Sequence, residues 1–233
     1  MHLFVPTFTP LLNEIILKDP KERFLQEKGH WRGLETVLFP GTCIEKLEEQ
    51  KIEKHTLFRV KVPSYEEQKN LYILSYYLDL KQAFCSHFSS LILQENRPTY
   101  TEIAYNWIQE KLGIPYIWGG NSQEVQNLSI EGSPSFQGYD CSGLVYAFLW
   151  EILNGCITKS GVYLPRNSSD FLSWPYASKI EMDILWENPT LMLEKLKKRC
   201  FAQKDMLLFM GWKGHIIFVF PEKEEVAESR EGY

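Results

Sequence analysis

The chain changes character abruptly at residue 141. Gly138-Tyr139-Asp140 is loop-like and polar, then Cys141-Ser142-Gly143 leads into Leu144-Val145-Tyr146-Ala147-Phe148-Leu149-Trp150. Leu144, Val145, Phe148, Leu149 and Ile152 recur at helical spacing, and the pattern closes near Asn154-Gly155, so the run reads as one helix with an apolar face. No apolar run approaches the roughly 20 residues that cross a bilayer. That face must therefore be buried against the rest of the chain, with a cysteine at its polar end.

The 233 residues suffice for one large domain or two smaller ones. A hydrophobic share of 44% and a charged share of 24% are ordinary globular values. The net charge of −5, with no Lys and Arg cluster large enough to track a phosphate backbone, argues against a nucleic-acid partner. Five cysteines stand at 43, 85, 141, 156 and 200 without a CxxC pair, which reads as reduced thiols in a reducing compartment. The N-terminal MHLFVPTFTPLLNEIILKDP lacks a charged start and a small-residue cleavage site, and Pro6 and Pro10 interrupt it. It is not read as a signal peptide. A cytoplasmic location is expected, with secretion by another route as the alternative.

Along the chain, residues 22–63 read as short strands with turns. Trp31 to Thr42 holds a strand before Pro40-Gly41, Cys43 to Glu49 follows, and Thr56 to Pro63 alternates apolar and polar. Asn70 to Leu74 is a further strand candidate, and strands so closely spaced suggest a small barrel. Ser75 to Leu93 has no clean period, and residues 75–97 read as a connecting segment that is partly helical. Thr99 to Leu112 predicts a helix stopped by Gly113. Ile114 to Gly120 predicts an extended stretch, Asn121 to Gln137 a polar loop, and Met192 to Cys200 an exposed basic helix. Asp205 to Met210 and His215 to Phe220 predict two strands around the turn Trp212-Lys213-Gly214.

A thiol at a helix N-terminus faces unpaired backbone N–H groups and the positive end of the dipole, and both favour thiolate. Two readings of Cys141 compete: a buried structural cysteine and a nucleophile. His215 weighs for the second, because it opens an apolar strand and is the one histidine after Cys141, the others being His2, His30, His55 and His87. An imidazole near the thiol takes its proton and later protonates a leaving group. Cys141 and His215 alone cannot make a four-ligand zinc site, so no metal is expected, and no organic cofactor either.

Five segments occur in one order: Gly113-Ile114-Pro115-Tyr116-Ile117-Trp118-Gly119-Gly120, Asp140-Cys141-Ser142-Gly143-Leu144-Val145, Leu164-Pro165-Arg166-Asn167-Ser168, Lys204-Asp205-Met206-Leu207-Leu208-Phe209 and Gly214-His215-Ile216-Ile217. Together, over residues 99–233, they resemble the NlpC/P60 cysteine peptidases. The resemblance implies an α+β, papain-like catalytic domain in which a helix carrying the nucleophile packs on an antiparallel sheet carrying the histidine. It casts Cys141 as nucleophile and His215 as general base. The family's third polar residue maps to Glu228, where many members have histidine, and Glu225 is the fallback. A carboxylate can orient an imidazole as well as an amide can.

The resemblance also implies that Asp140 and Ser142 hold a substrate's free amine. Asp140 equally suits a helix cap, and the two roles are compatible. Tyr116 is a candidate oxyanion donor beside the backbone N–H of Cys141. Arg166 and Ser168 read as groove lining, with a structural arginine as the alternative. Many bacterial members carry an SH3-like barrel ahead of the catalytic domain, and residues 22–75 look like one. The expected organisation is an SH3-like domain over 1–75, a connecting segment over 76–98 and the catalytic domain over 99–233.

The function so implied is a cysteine endopeptidase acting on peptidoglycan stem peptides, at the bond between γ-D-glutamate and a diamino acid. Its partners would be peptidoglycan-derived peptides, with no nucleic acid, membrane segment or obligate protein partner. The alternatives are an acyltransferase or amidase on the same fold, and a non-catalytic wall-peptide binding module.

Overall fold

The computed structural model describes residues 2–27, 30–62, 70–79, 98–125, 127–152, 164–174, 194, 198, 207–212 and 214–230. Most of the connecting segment, the end of the central helix near Asn154-Gly155 and most of the basic helix expected at Met192 to Cys200 lie outside these residues.

In the N-terminal part, β1 (His2–Phe4), β2 (Thr9–Leu12), β3 (Leu34–Leu38), β4 (Cys43–Ile52), β5 (His55–Lys61) and β6 (Leu71–Leu74) form one sheet. Its order is β1-β4-β5-β6-β2-β3 and every pairing is antiparallel. A single-turn helix α1 (Pro20–Arg23) follows β2, capped by the Asp19 carboxylate. The strands expected from residue 22 onward appear near their predicted places. β1 and β2, upstream of residue 22, carry no strand signal in the sequence.

β2 lies inside the sheet, between β6 and β3, and all four of its residues are buried. The alternation is there, but both of its faces are covered. Leu11, Leu38, Leu71 and Ile73 enter one core, with Ile44 and Val60. Leu12, Val37, Tyr72 and Leu74 enter another, with residues from beyond position 120. A strand covered on both faces loses the polar–apolar signature of a half-buried one.

The C-terminal part is built around α2 (Tyr100–Gln109), α3 (Cys141–Ile152), the short α4 (Ser168–Ser173) and a three-stranded antiparallel sheet. That sheet runs β11-β10-β9, with β9 (Leu208–Trp212), β10 (His215–Phe220) and β11 (Glu225–Ala227). Between α2 and α3 a two-stranded ribbon pairs β7 (Asn121–Ser122) with β8 (Gly138–Tyr139). α2 starts where its sequence says it should: Thr99 and Glu102 form a reciprocal capping box, Thr99 N–H donating to Glu102 at 2.8 Å and Glu102 N–H to the Thr99 hydroxyl at 3.2 Å.

α3 packs its apolar face on β10, with the rings of Phe148 and Phe218 at 5.5 Å and Trp107 of α2 at 5.4 Å from Phe148. Phe39, which follows β3, inserts into the same core at 4.6 Å from Trp150. Edge-to-face aromatic contacts of this kind each add about 0.5–1.5 kcal/mol beyond the area buried.

Two expectations for residues 114–137 need correction. Ile114 to Gly120 forms no strand, and only Tyr116 bridges to Tyr139. Residues 121–137 are not a simple surface loop. Val125, Leu128, Ile130 and Phe136 are buried in the core facing the N-terminal sheet, where Phe136 stacks on Trp31 at 5.5 Å. Their spacing follows neither a helix nor a strand, so no periodic signal marks them.

Candidate active site

Cys141 is the first residue of α3, and Asp140 caps that helix. The Asp140 carbonyl accepts the Leu144 N–H at 3.0 Å, and its carboxylate accepts the Gly143 N–H at 2.6 Å. Gly143 is demanded by contact: a Cβ there would lie 2.0 Å from the Gly120 carbonyl oxygen. This close approach brings the ribbon's first strand against the first turn of α3.

The Cys141 thiol is buried and its Sγ donates to the Gly214 carbonyl at 3.9 Å, in the turn between β9 and β10. Burial pushes the thiol's pKa up, and the adjacent Asp140 carboxylate adds to the rise. The backbone N–H groups of Ile216 and Ser142 and the Arg166 guanidinium oppose it. Burial thus outweighs the two amides and the guanidinium, the opposite of the shift toward thiolate expected from a helix start.

The residues touching Sγ are the two neighbours of His215. The His215 ring meets Glu228 through Nε2, at 2.7 Å from Oε2, and Trp212 leans on it with ring centroids 4.9 Å apart. Glu228 thus takes up Nε2, and Nδ1 is the second ring nitrogen. Glu228 follows β11, and its other oxygen lies 3.4 Å from Arg230 Nε. Next to it, the Ser229 hydroxyl donates to the Tyr139 carbonyl at 2.6 Å. The segment that carries Glu228 is therefore pinned to the strand that precedes the nucleophile. Glu225 is elsewhere: it bonds the Tyr105 phenol and raises its pKa.

Behind Cys141 lies a second, buried constellation. Arg166 forks onto Asp140, Nη1 to Oδ1 at 3.0 Å and Nη2 to Oδ2 at 2.8 Å. Nη1 also reaches Ser142 Oγ at 2.9 Å, and Nε donates to Thr36 Oγ1 at 2.6 Å. Asp140 further accepts from the Ser142 hydroxyl at 3.1 Å and the Gly119 N–H at 3.0 Å. That makes five donors on a carboxylate with about four lone-pair positions.

In this arrangement Arg166 points inward and does not line a groove, and Asp140 and Ser142 spend their polar atoms on the scaffold instead of on a ligand. Asp140 is the helix cap, the second of its two expected roles. Ser168 opens α4 and is buried. Tyr116 is half-buried, with its ring edge against His30 at 5.2 Å. Thr36, Trp212 and Ser229 carry no sequence signal for the site. Thr36 sits 130 residues from its partner Arg166.

Among the described residues no three His, Cys, Asp or Glu side chains are grouped to hold a metal, and no helix is long and apolar enough to cross a membrane.

Over 83 residues the chain is 32% identical to the peptidoglycan endopeptidase RipB of Mycobacterium tuberculosis, in strain CDC 1551 / Oshkosh and in strain ATCC 25618 / H37Rv. The matched stretch is 35% of this chain and 31% of RipB, so the chain spans about a third of the length of these curated relatives. This similarity supports the family resemblance carried by the motifs. No family model matches the chain, and no solved structure does.

Proposed function

We propose that this protein is a cysteine peptidase that hydrolyses peptidoglycan stem peptides, with Cys141 as nucleophile, His215 as general base and Glu228 as the group that orients His215. The observation that carries the reading is the placement of the Cys141 thiol at a helix start, against the carbonyl of Gly214, while the next residue presents an imidazole already held through Nε2 by a carboxylate. The partial likeness to RipB supplies the substrate class. The bond between γ-D-glutamate and a diamino acid is the finer proposal, and it rests on the motif resemblance. So do the papain-like arrangement of α3 on β10 and the SH3-like character of the N-terminal sheet.

The reaction follows from these groups. His215 Nδ1 takes the proton from Sγ as sulfur attacks the scissile carbonyl carbon. The backbone N–H of Cys141, at the helix start, stabilises the developing oxyanion. The imidazolium, stabilised by Glu228, returns the proton to the leaving amine as the C–N bond breaks and a thioester remains. Water, deprotonated by the same imidazole, attacks the thioester and regenerates the thiol.

The test is digestion of defined muropeptides, with and without glycan and with the terminal amine free or blocked, followed by mass analysis. Wild-type protein is expected to split the stem peptide, and Cys141→Ala to leave it intact. Full turnover by Cys141→Ala would end the proposal.

A further inference from the structure

Two routes run from the N-terminal sheet to the residue before Cys141. In the first, Thr36 of β3 accepts from Arg166 Nε, and the same guanidinium grips both oxygens of Asp140. In the second, the Asn121 side chain behaves like a strand backbone. Its Oδ1 accepts the Val37 N–H at 3.0 Å, and its Nδ2 donates to the Val37 carbonyl at 3.0 Å. That docks β3 on residues 119–121, from which the Gly119 N–H donates to the Asp140 carboxylate and the Gly120 carbonyl accepts the Asp140 N–H at 2.8 Å. The packing is close: Gly119 has φ +72°, and a Cβ there would sit 2.3 Å from the Leu34 carbonyl oxygen. Asn121 is fully buried, and Thr36 and Arg166 nearly so.

We infer that Thr36 and Arg166 are positioning residues for the nucleophile, so that the N-terminal sheet is a working part of the active site and not an appended module. Thr36 fixes the plane of the Arg166 guanidinium. Arg166 fixes and neutralises Asp140. Asp140 sets the first turn of α3 and, through it, Sγ of Cys141. The inference rests on the proposal that Cys141 is the nucleophile.

Thr36 matters because a guanidinium held at Nε has one orientation, and only that orientation gives Asp140 two parallel bonds. Freed from Thr36, the fork can pivot on a single bond. The charged and titratable groups around the thiol are Asp140 and Arg166 behind it, His215 with Glu228 across from it on the sheet side, Arg230 beyond Glu228, and the Tyr139 phenol on β8. Of these, Asp140 and Arg166 act on the thiol in opposite senses. Loosening Arg166 leaves the Asp140 charge less compensated, and the thiol ionises at higher pH.

The experiment uses the full chain carrying Thr36→Val, Thr36→Ser or Arg166→Lys. The alkylation rate of Cys141 by iodoacetamide is measured against pH, with the labelled peptide identified by mass, and kcat and KM are measured on the muropeptide. Thr36→Val and Arg166→Lys are expected to move the alkylation midpoint up by roughly half to one pH unit, so that labelling near neutrality slows about three- to tenfold. kcat should fall by a similar factor with KM unchanged, and Thr36→Ser should restore both. Val decides the matter should the Lys protein not fold, because it keeps the shape of threonine.

A wild-type midpoint in Thr36→Val overturns the inference, as does a loss that Thr36→Ser fails to rescue, since packing and not the hydrogen bond would then be at work. The midpoint is readable without any turnover. A wild-type protein that cleaves no peptide would sink the peptidase reading, while the coupling would still stand or fall on the movement of the midpoint.

Discussion

Two carboxylates, each paired with a nitrogen-bearing side chain, flank one thiol, and the two pairs are built to opposite specifications. Behind Cys141, Asp140 and Arg166 have side chains only 13% and 6% exposed and are saturated with partners from β3, the ribbon and α3. In front, Glu228 and His215 are 29% and 17% exposed and joined by one bond, with Trp212 on one side and Arg230 behind. A buried, saturated pair is a poor place for proton traffic, because changing either charge strands the other in a low dielectric. The front pair, joined by one bond, leaves both of its groups nearer to solvent. The aspartate beside the thiol is thus tied to the scaffold.

The largest expected effect comes from breaking the rear pair. Arg166→Met should cost about 3–5 kcal/mol of stability, because Asp140 is left charged and buried. A urea titration followed by circular dichroism measures it. A midpoint like the wild type would mean that water replaces the guanidinium.

The front pair should respond in the opposite way. His215→Ala is expected to lower kcat by about 10²–10⁴-fold, the range for loss of a general base, while the urea midpoint stays near that of the wild type. Glu228→Gln keeps a hydrogen-bond acceptor but loses the charge that stabilises imidazolium. We expect a roughly tenfold drop in kcat, smaller than the loss from His215→Ala because the ring is still held. A Glu228→Gln protein that lost stability but not rate would place this carboxylate with the scaffold and erase the contrast.

The front pair is also the more legible of the two from sequence. β10 occupies its expected residues, α3 begins at Cys141 as expected, and α2 starts next to Thr99, where the helix is expected to begin. These are local signals, carried by residues within a turn or two of each other. Glu228 is reached through the motif resemblance, which puts the third polar residue just beyond His215 across a hairpin whose geometry is local.

The rear pair is different. Arg166 meets Asp140 across 26 residues and Thr36 across 130, and no pattern at either end foretells the meeting. The role of the N-terminal sheet is hidden for the same reason. β2 shows no visible alternation because both its faces are covered, and the four apolar residues of 121–137 that complete its outer core have no period at all. Sequence speaks where structure is local and falls silent where two distant segments have to be fitted together.

The smallest predicted effect concerns the thiol that the two pairs share. Its pKa lies above the ordinary thiol value of 9.0, chiefly through burial. The unfolded chain therefore ionises this thiol first as the pH rises. The stability that accompanies the neutral thiol is complete below about pH 9 and is lost as the pH climbs through the folded value. The tyrosines with raised pKa, Tyr72, Tyr77, Tyr105, Tyr139 and Tyr146, act in the same sense, but only from their ordinary value of 10.0 upward. The interval between those two values is where Cys141 stands apart from them. Urea midpoints of wild type and Cys141→Ser, taken at pH 8, 9 and 10, should show a steeper decline in the wild type. The difference should be a fraction of the roughly 1.4 kcal/mol that a tenfold change in proton affinity can contribute. Parallel declines would mean that the helix start and the Ile216 and Ser142 amides fully offset the burial. Cys141 would then ionise at its ordinary value, still a thiol near neutrality, and the front pair would still have to supply the base.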